Sequence, residues 1–329
     1  MKTLKFILKV LLVFLAAFIV WILIPRTWSA LNPQKPPLGY HFMVPLRVAL
    51  LTGLEKIVNT SPEVPDNIEA FTDLEYGKAG GKSLQLDIYR PKDSSEALPL
   101  LVFIHGGGWQ GGKRSDYLVY LIHFARKGYA TATISYRLVD DDPYPACAVD
   151  VKDAVGWLFS NGEKYGYDSN RIALIGGSAG GHLAMLGAYG WDNGSNSNDT
   201  SMTSLPVKKV KAVVDLYGPS DLTTEYARKH PLVTALIARS WDDSPMLYRE
   251  ASPISYLSSD DPPTLIFHGT SDMLVPVIQS DDLKARLDSL GVPCEYYRLP
   301  LWPHSMDMDE RVNIFCRDRM EEFFRKYLL

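Results

Sequence analysis

Residues 171–183, R-I-A-L-I-G-G-S-A-G-G-H-L, carry the reading on which the fold turns. Arg171 to Ile175 has the short, nearly continuous apolar character of a buried strand, Gly176 and Gly177 leave the next turn uncrowded, and Ala179 to Tyr189 reads as a small-residue helix. Within this strand, turn and helix, Gly176 to Gly180 matches G-x-S-x-G, where a sharp turn pushes a serine hydroxyl outward and flanking glycines relieve backbone crowding. Ser178 is thereby a candidate nucleophile. Glycine-rich strand-to-helix turns also serve close packing and phosphate binding, so the remaining chain has to discriminate.

The chain has 329 residues, 46% hydrophobic and 22% charged, enough for a large core, and α/β domains of this length often remain single. A formal net charge of -4 supplies no basic footprint, which disfavours nucleic acid as a partner. Cys147, Cys294 and Cys316 lie far apart without C-x-x-C spacing, so neither a zinc site nor a disulfide framework is indicated. One bridge with one thiol left over stays open.

Every residue from Val10 to Ile24 is apolar, and extending back to Phe6 admits only Lys9, giving a stretch of about 28 Å as a helix. That length can cross a bilayer. Lys2, Lys5 and Lys9 precede it and only Arg26 follows closely, which places the N-terminus in the cytoplasm and the rest across the membrane, with Lys9 free to snorkel. A cleaved signal peptide is the competing reading. The run is at or beyond the usual upper length for one, and Thr27-Trp28-Ser29 is a mediocre cleavage site, so an uncleaved anchor is preferred. The domain is exported on either reading. This divides the chain into an anchor or signal segment (1–26), a linker (27–70) and a catalytic domain (71–329). Pro33, Pro36 and Pro37 suggest a tether, and an apolar pattern from Leu46 to Val58 suggests a helix on the domain or on the membrane.

Thr72 to Tyr76 and Leu84 to Ile88 alternate in polarity around Gly77 to Gly81, as an opening antiparallel hairpin would. Leu98 to Ile104 is a nearly continuous apolar run, expected of a strand covered on both faces, and it enters His105-Gly106-Gly107-Gly108-Trp109. Consecutive glycines leave N–H groups unshielded for a phosphate or an oxyanion. The phosphate reading lacks the Lys-Ser/Thr ending of a P-loop and the dinucleotide spacing. As an oxyanion hole, the amides of Gly107 and Gly108 would join that of Ala179.

With H-G-G-G-W and G-G-S-A-G in these strand contexts, the chain resembles the α/β-hydrolase superfamily. The likeness is to its carboxylesterase branch, which holds hormone-sensitive-lipase-like esterases, kynurenine formamidases and bacterial feruloyl or acetylxylan esterases. Leu86-Asp-Ile-Tyr-Arg-Pro91, Tyr136-Arg137-Leu138 and Arg171 to Ala184 are similar to the last of these, and the resemblance covers roughly Phe71 to Leu328. It implies a mostly parallel eight-stranded sheet with helices on both faces, here preceded by a transmembrane helix, and a triad in the chain order serine, acid, histidine.

The residues can be read against that order. Thr264 to His268 is another buried strand, so Asp272 falls in a turn at a carboxyl end, where open α/β sheets place their sites. Asp215 inside the preceding strand and Asp221, suited to capping the next helix, are rival acids, and all three also suit ordinary turn positions. Cys294 to Leu299 reads as the last strand, with His304 in the loop beyond it, ahead of a terminal helix from Asp309 to Tyr327. His105 is better placed to brace the glycine loop, His182 to pack one turn past Ser178, and His268 to end a strand. His41, His123 and His230 have no motif context.

Trp191 to Pro206 is polar, which argues for a mobile loop and not a packed cover. Residues 222–257 carry Tyr226, Trp241, Tyr248 and Tyr256 and suit either a small cap over the site or plain core packing. Trp109 and Tyr136 are supporting candidates, with Tyr136-Arg137 at the entrance or merely carrying surface charge.

The expected chemistry is serine ester hydrolysis on small or short-acyl esters, acetylated or feruloylated carbohydrate among them. His304 would act as base on Ser178 and Asp272 would orient it, without metal or organic cofactor. Formamidase, peptidase, acyltransferase and lipase activities would use the same residues, and an inert hydrolase-fold binding module is the rival from another class. The membrane and a small-molecule ester are the expected partners; oligomeric state is not legible.

Overall fold

A computed structural model describes residues 2–40, 42–190 and 210–329. The polar stretch Trp191 to Pro206 and His41 lie outside the described residues. In chain order the elements are α1 (Lys2–Leu31), α2 (Met43–Leu51), β1 (Ile68–Ala79), β2 (Lys82–Pro91), β3 (Leu98–Ile104), α3 (Leu118–Arg126), β4 (Ala130–Ile134) and α4 (Ala146–Ser160). They continue with α5 (Gly162–Tyr165), β5 (Tyr167–Gly177), α6 (Ala179–Tyr189), β6 (Ala212–Leu216), α7 (Glu225–Lys229), α8 (Pro231–Ile237) and α9 (Pro245–Glu250). The last four are β7 (Thr264–Gly269), α10 (Ile278–Ser289), β8 (Cys294–Leu299) and α11 (Glu310–Tyr327).

The hairpin is tighter than the sequence suggests. β1 runs on through Gly77 to Ala79, which pairs with Lys82, because Gly80 (φ 58°) and Gly81 (φ 78°) alone supply the left-handed backbone of a two-residue turn.

Eight strands form one sheet in the order β1-β2-β4-β3-β5-β6-β7-β8. β1 with β2 and β2 with β4 are antiparallel; the pairs from β4 through β8 are parallel. Side-chain alternation divides the core in two. Leu100, Val102 and Ile104 of β3 face a layer containing Val151 of α4, Leu183 of α6 and Leu287 of α10. Leu101 and Phe103 face the opposite layer, containing Phe124 of α3, Phe324 of α11, Leu46 of α2 and Ile22 of α1. The register matches Ile104 with Gly176, Gly177 with Leu216, Leu216 with Phe267, and Gly269 with Leu299. The chain therefore leaves five neighbouring strands side by side at one edge of the sheet, the crevice where such sheets hold their sites.

The N-terminal region is packed where the proline pattern suggested a tether. α1 continues through Pro25 to Leu31, and α2 is shorter than the expected 46–58 helix. Its C-terminal continuation is captured by a distant segment: the Val58 N–H donates to the Met308 carbonyl (2.9 Å) and the Glu310 N–H to that of Lys56 (2.8 Å). Pro37 receives the indole N–H of Trp302 (3.0 Å), and the Gly39 N–H donates to Pro300 (2.8 Å). The buried Glu55 carboxylate accepts from the Tyr40 hydroxyl (2.7 Å) and the fork of Arg311 (2.6 and 2.8 Å).

Asp309 caps α11, its Oδ1 accepting the N–H of Arg311 (3.0 Å) and of Val312 (3.4 Å). Burial, and next the charge of Glu55, push its carboxyl up to about 7. The unfolded chain releases this proton near pH 4, so between about pH 4 and 7 the folded state holds a proton that the unfolded state has lost, and this group's contribution weakens as pH rises. Asp309→Asn keeps a capping oxygen and removes the titration. Thermal unfolding scanned from pH 5 to 8 is expected to lose less stability in this variant than in the parent; parallel curves would contradict the assignment.

Cys147, Cys294 and Cys316 are all free thiols, so the bridge that the sequence left open does not form.

Candidate active site

Ser178 joins β5 to α6 with φ 56° and ψ -122°. A side-chain-bearing residue in this region stores about 1–3 kcal/mol, held here by the surrounding structure. Its N–H is anchored to the Leu216 carbonyl of β6 (2.8 Å). A Cβ on Gly176 would lie 2.1 Å from the Gly180 oxygen, and one on Gly180 would lie 2.0 Å from the Ile104 oxygen. Both positions of the motif therefore require glycine for close backbone approach.

Ser178 Oγ lies 2.9 Å from His304 Nε2, and His304 Nδ1 lies 2.6 Å from Asp272 Oδ2. With its proton on Nδ1, the imidazole donates to the carboxylate and leaves Nε2 to accept from the serine hydroxyl. Asp272 Oδ1 accepts the N–H groups of Leu274 (2.8 Å) and Val275 (2.9 Å), and His268 Nε2 stands 3.2 Å from Oδ2. Burial alone would raise the Asp272 carboxyl, but hydrogen bonds from His268 and His304, with the charge of His304, outweigh it and hold the group well below the usual carboxylate range. Asp272 is ionised throughout neutral pH.

The His304 loop is held by a second set of contacts. Tyr217, the first residue past β6, has φ 48° and lies edge-on to the imidazole with ring centroids 4.7 Å apart. Its hydroxyl donates to Asp307 Oδ1 (2.5 Å), and the Tyr120 hydroxyl donates to Oδ2 (3.1 Å).

The glycine loop is packed on the elbow: a Cβ on Gly106 would stand 3.5 Å from Ser178 Cβ, and Gly108, Trp109 and Ser178 border one cleft. Ala179 opens α6, so its N–H has no partner within the helix. His105 and Tyr136 sit behind the loop, outside the cleft. Their rings stack at 4.3 Å, and the Tyr136 hydroxyl donates to the His105 carbonyl (2.8 Å). Arg137 is not an entrance residue or a free surface charge; its guanidinium grips the buried Asp150 (2.8 Å) and reaches Asp142 (2.9 Å). Trp109 lines the cleft, and its indole N–H donates to His182 Nδ1 (3.2 Å). His182 Nε2 in turn donates to the Ala251 carbonyl (2.7 Å), and burial pushes the imidazole down to about 4, so it stays neutral.

The rival acids lie apart from the serine–histidine pair. Asp215 is buried within β6, accepting the Gly218 N–H (2.8 Å). Asp221 accepts from the Thr223 N–H (2.8 Å) and hydroxyl (2.6 Å); Thr224, not Asp221, caps α7.

The cleft beside Ser178 encloses about 420 Å³ including its open mouth. Residues 222–257 divide between cleft lining and core. Tyr226, His230, Leu232 and Val233 form one wall of the cleft, while Leu222, Leu236 and Tyr248 are core. Val275, Pro276 and Gln279 face them across the cleft. Sequence reasoning missed this opposite wall, as well as His230, Tyr217 and His268. For the last two, position at the carboxyl end of a strand is a usable signal; His230 had none.

Residues 86–287 match the BD-FAE family model. The chain is 33% identical over 250 residues to the probable carboxylic ester hydrolase LipM of Mycobacterium tuberculosis, covering 72% of this chain and 56% of LipM. It spans little more than half the length of such curated relatives. Among solved structures, a truncated carbohydrate esterase from gut microbiota superposes with a TM-score of 0.67 at 28% identity, covering 81% of this chain and 98% of that one. A propionate-bound esterase of Thermogutta terrifontis superposes with a TM-score of 0.67 at 25% identity, covering 82% and 97%.

Proposed function

Since the chain belongs to the BD-FAE family and has the α/β-hydrolase fold, we propose that it is a serine carboxylic-ester hydrolase with Ser178, His304 and Asp272 as its triad. The observation that carries this reading is the unbroken chain of hydrogen bonds from the Ser178 hydroxyl through His304 to the ionised Asp272. As Ser178 Oγ attacks the ester carbonyl carbon, His304 Nε2 takes its proton. The oxyanion that forms is held by the N–H groups of Gly107, Gly108 and Ala179. The imidazolium then protonates the departing alcohol. Water, deprotonated by the same imidazole, releases the acid and restores Ser178.

The cleft supports a reading of the substrate class. Among the described residues no Asp, Glu, Lys or Arg lines it; the walls include Leu232, Val233, Val275 and Pro276, and the Tyr226 hydroxyl is turned to the Leu274 carbonyl (2.8 Å). This favours a neutral, short acyl group, in keeping with the propionate held by the Thermogutta relative. The carbohydrate esterase among the structural relatives supports acetylated carbohydrate as an alcohol side to test first. With p-nitrophenyl esters, turnover is expected to peak at two to four acyl carbons and to fall roughly tenfold or more by ten carbons. A profile that rises with length would replace this reading with that of a lipase.

The N-terminal helix is long and apolar enough to cross a membrane. With Lys2, Lys5 and Lys9 on its N-terminal side, it anchors the domain outside the cytoplasm.

A further inference from the structure

We propose that the outer face of α2 lies in the headgroup layer of an anionic bilayer and seats the hydrolase domain directly on the membrane surface. The proposal rests on α1 spanning that bilayer.

α1 leaves no slack between membrane and domain. Phe18, Ile22, Pro25 and Ser29 recur at helical spacing along one stripe, and that stripe is covered by the domain. Arg311 of α11 clamps it, donating to Ser29 Oγ (2.8 Å) and the Pro25 carbonyl (3.4 Å). Counted from Phe6, the helix rises about 28 Å by Ile24, close to the thickness of the hydrocarbon layer, with Lys9 snorkelling at its start. The bilayer surface therefore falls between Trp21 and Ile24, level with the contacts that Ile22 and Pro25 make with the domain.

α2 starts at that level, with the Phe42 and Trp21 rings 6.1 Å apart. Its inner residues Leu46 and Ala49 are buried, whereas Val44 and Leu51 are 63% and 88% exposed, two helical turns apart with Arg47 between them. In water these aliphatic side chains stay unburied, and the acyl boundary can bury them. Charge points the same way. From Arg26 to Val58 the exposed ions are Arg26, Lys35, Arg47 and Lys56, and the single acid, Glu55, is buried on Arg311. In a chain of net charge -4 this segment carries a local excess of cations, and bases near an anionic surface are attracted to it.

The test uses the full chain in phosphatidylcholine vesicles, with or without phosphatidylglycerol, carrying a photoactivatable diazirine phospholipid, and maps labelled peptides by mass spectrometry. Label is expected on peptides from α1 and on those covering residues 42–51, with the latter severalfold stronger in the anionic vesicles. In Val44→Asp/Leu51→Asp the 42–51 label is expected to fall while α1 labelling and hydrolysis of p-nitrophenyl acetate persist. Labelled α1 with 42–51 no higher than α10 overturns the seating and leaves the span intact. Unlabelled α1 overturns both.

Discussion

Ser178→Ala is expected to lose p-nitrophenyl acetate turnover by roughly 10⁴- to 10⁶-fold, the range for removing a serine nucleophile from a triad. The variant should fold. The anchor of the elbow is the Ser178 N–H to the Leu216 carbonyl, which alanine retains, and the crowding that glycine relieves lies at 176 and 180, not at 178. Only the hydroxyl 2.9 Å from His304 is removed. Two readouts keep chemistry and folding apart: the thermal unfolding midpoint should stay within a few degrees of the parent, and covalent labelling by a fluorophosphonate should vanish. A folded variant within tenfold of the parental rate would remove Ser178 from the mechanism. A parent that resists the fluorophosphonate would favour the inert binding module.

Asp272→Asn should cost about 10³- to 10⁴-fold in kcat. The geometry says why the replacement cannot adapt. Oδ1 accepts two backbone N–H groups, from Leu274 and Val275, so the amide oxygen of asparagine must take that place. Its NH2 then faces His304 Nδ1 in the position of Oδ2. Donor meets donor unless the imidazole moves its proton to Nε2, and Nε2 can then no longer accept from Ser178. His268, 3.2 Å from the same oxygen, feels the same reversal. A kcat loss below tenfold would sink the orienting role of Asp272. Retained activity could not be handed to Asp215 or Asp221, whose Oδ1 atoms accept from Gly218 and Thr223, whereas His304 Nδ1 is turned to Asp272.

The parts of the site legible in the sequence are those set by local sterics. Strand β3, helix α6 and strand β8 have the bounds expected from Leu98–Ile104, Ala179–Tyr189 and Cys294–Leu299. Buried strands are continuous apolar runs, and the elbow tolerates only glycine where backbones touch. A histidine or aspartate just past such a strand belongs at the sheet edge whatever its neighbours, which is how Asp272 and His304 could be singled out. Boundaries failed where a distant partner intervened. α2 stops at Leu51 because Lys56 and Val58 pair with Met308 and Glu310, and Asp221 yields the cap of α7 to Thr224.

By itself the sequence determined an α/β sheet with a glycine-framed serine, a glycine-rich loop, and an acid and a histidine beyond later strands. It also determined an apolar helix ahead of them, because all of these are written in periodicity and local crowding. Only the tertiary structure decided that Tyr217 and His268 frame the serine–histidine–aspartate chain, that His230 and Gln279 line the cleft, and that Pro37 and Gly39 dock on the loop that leads to His304. Those contacts join segments far apart in the chain, Pro37 and Trp302 being separated by 265 positions. No local pattern encodes which two surfaces bury each other.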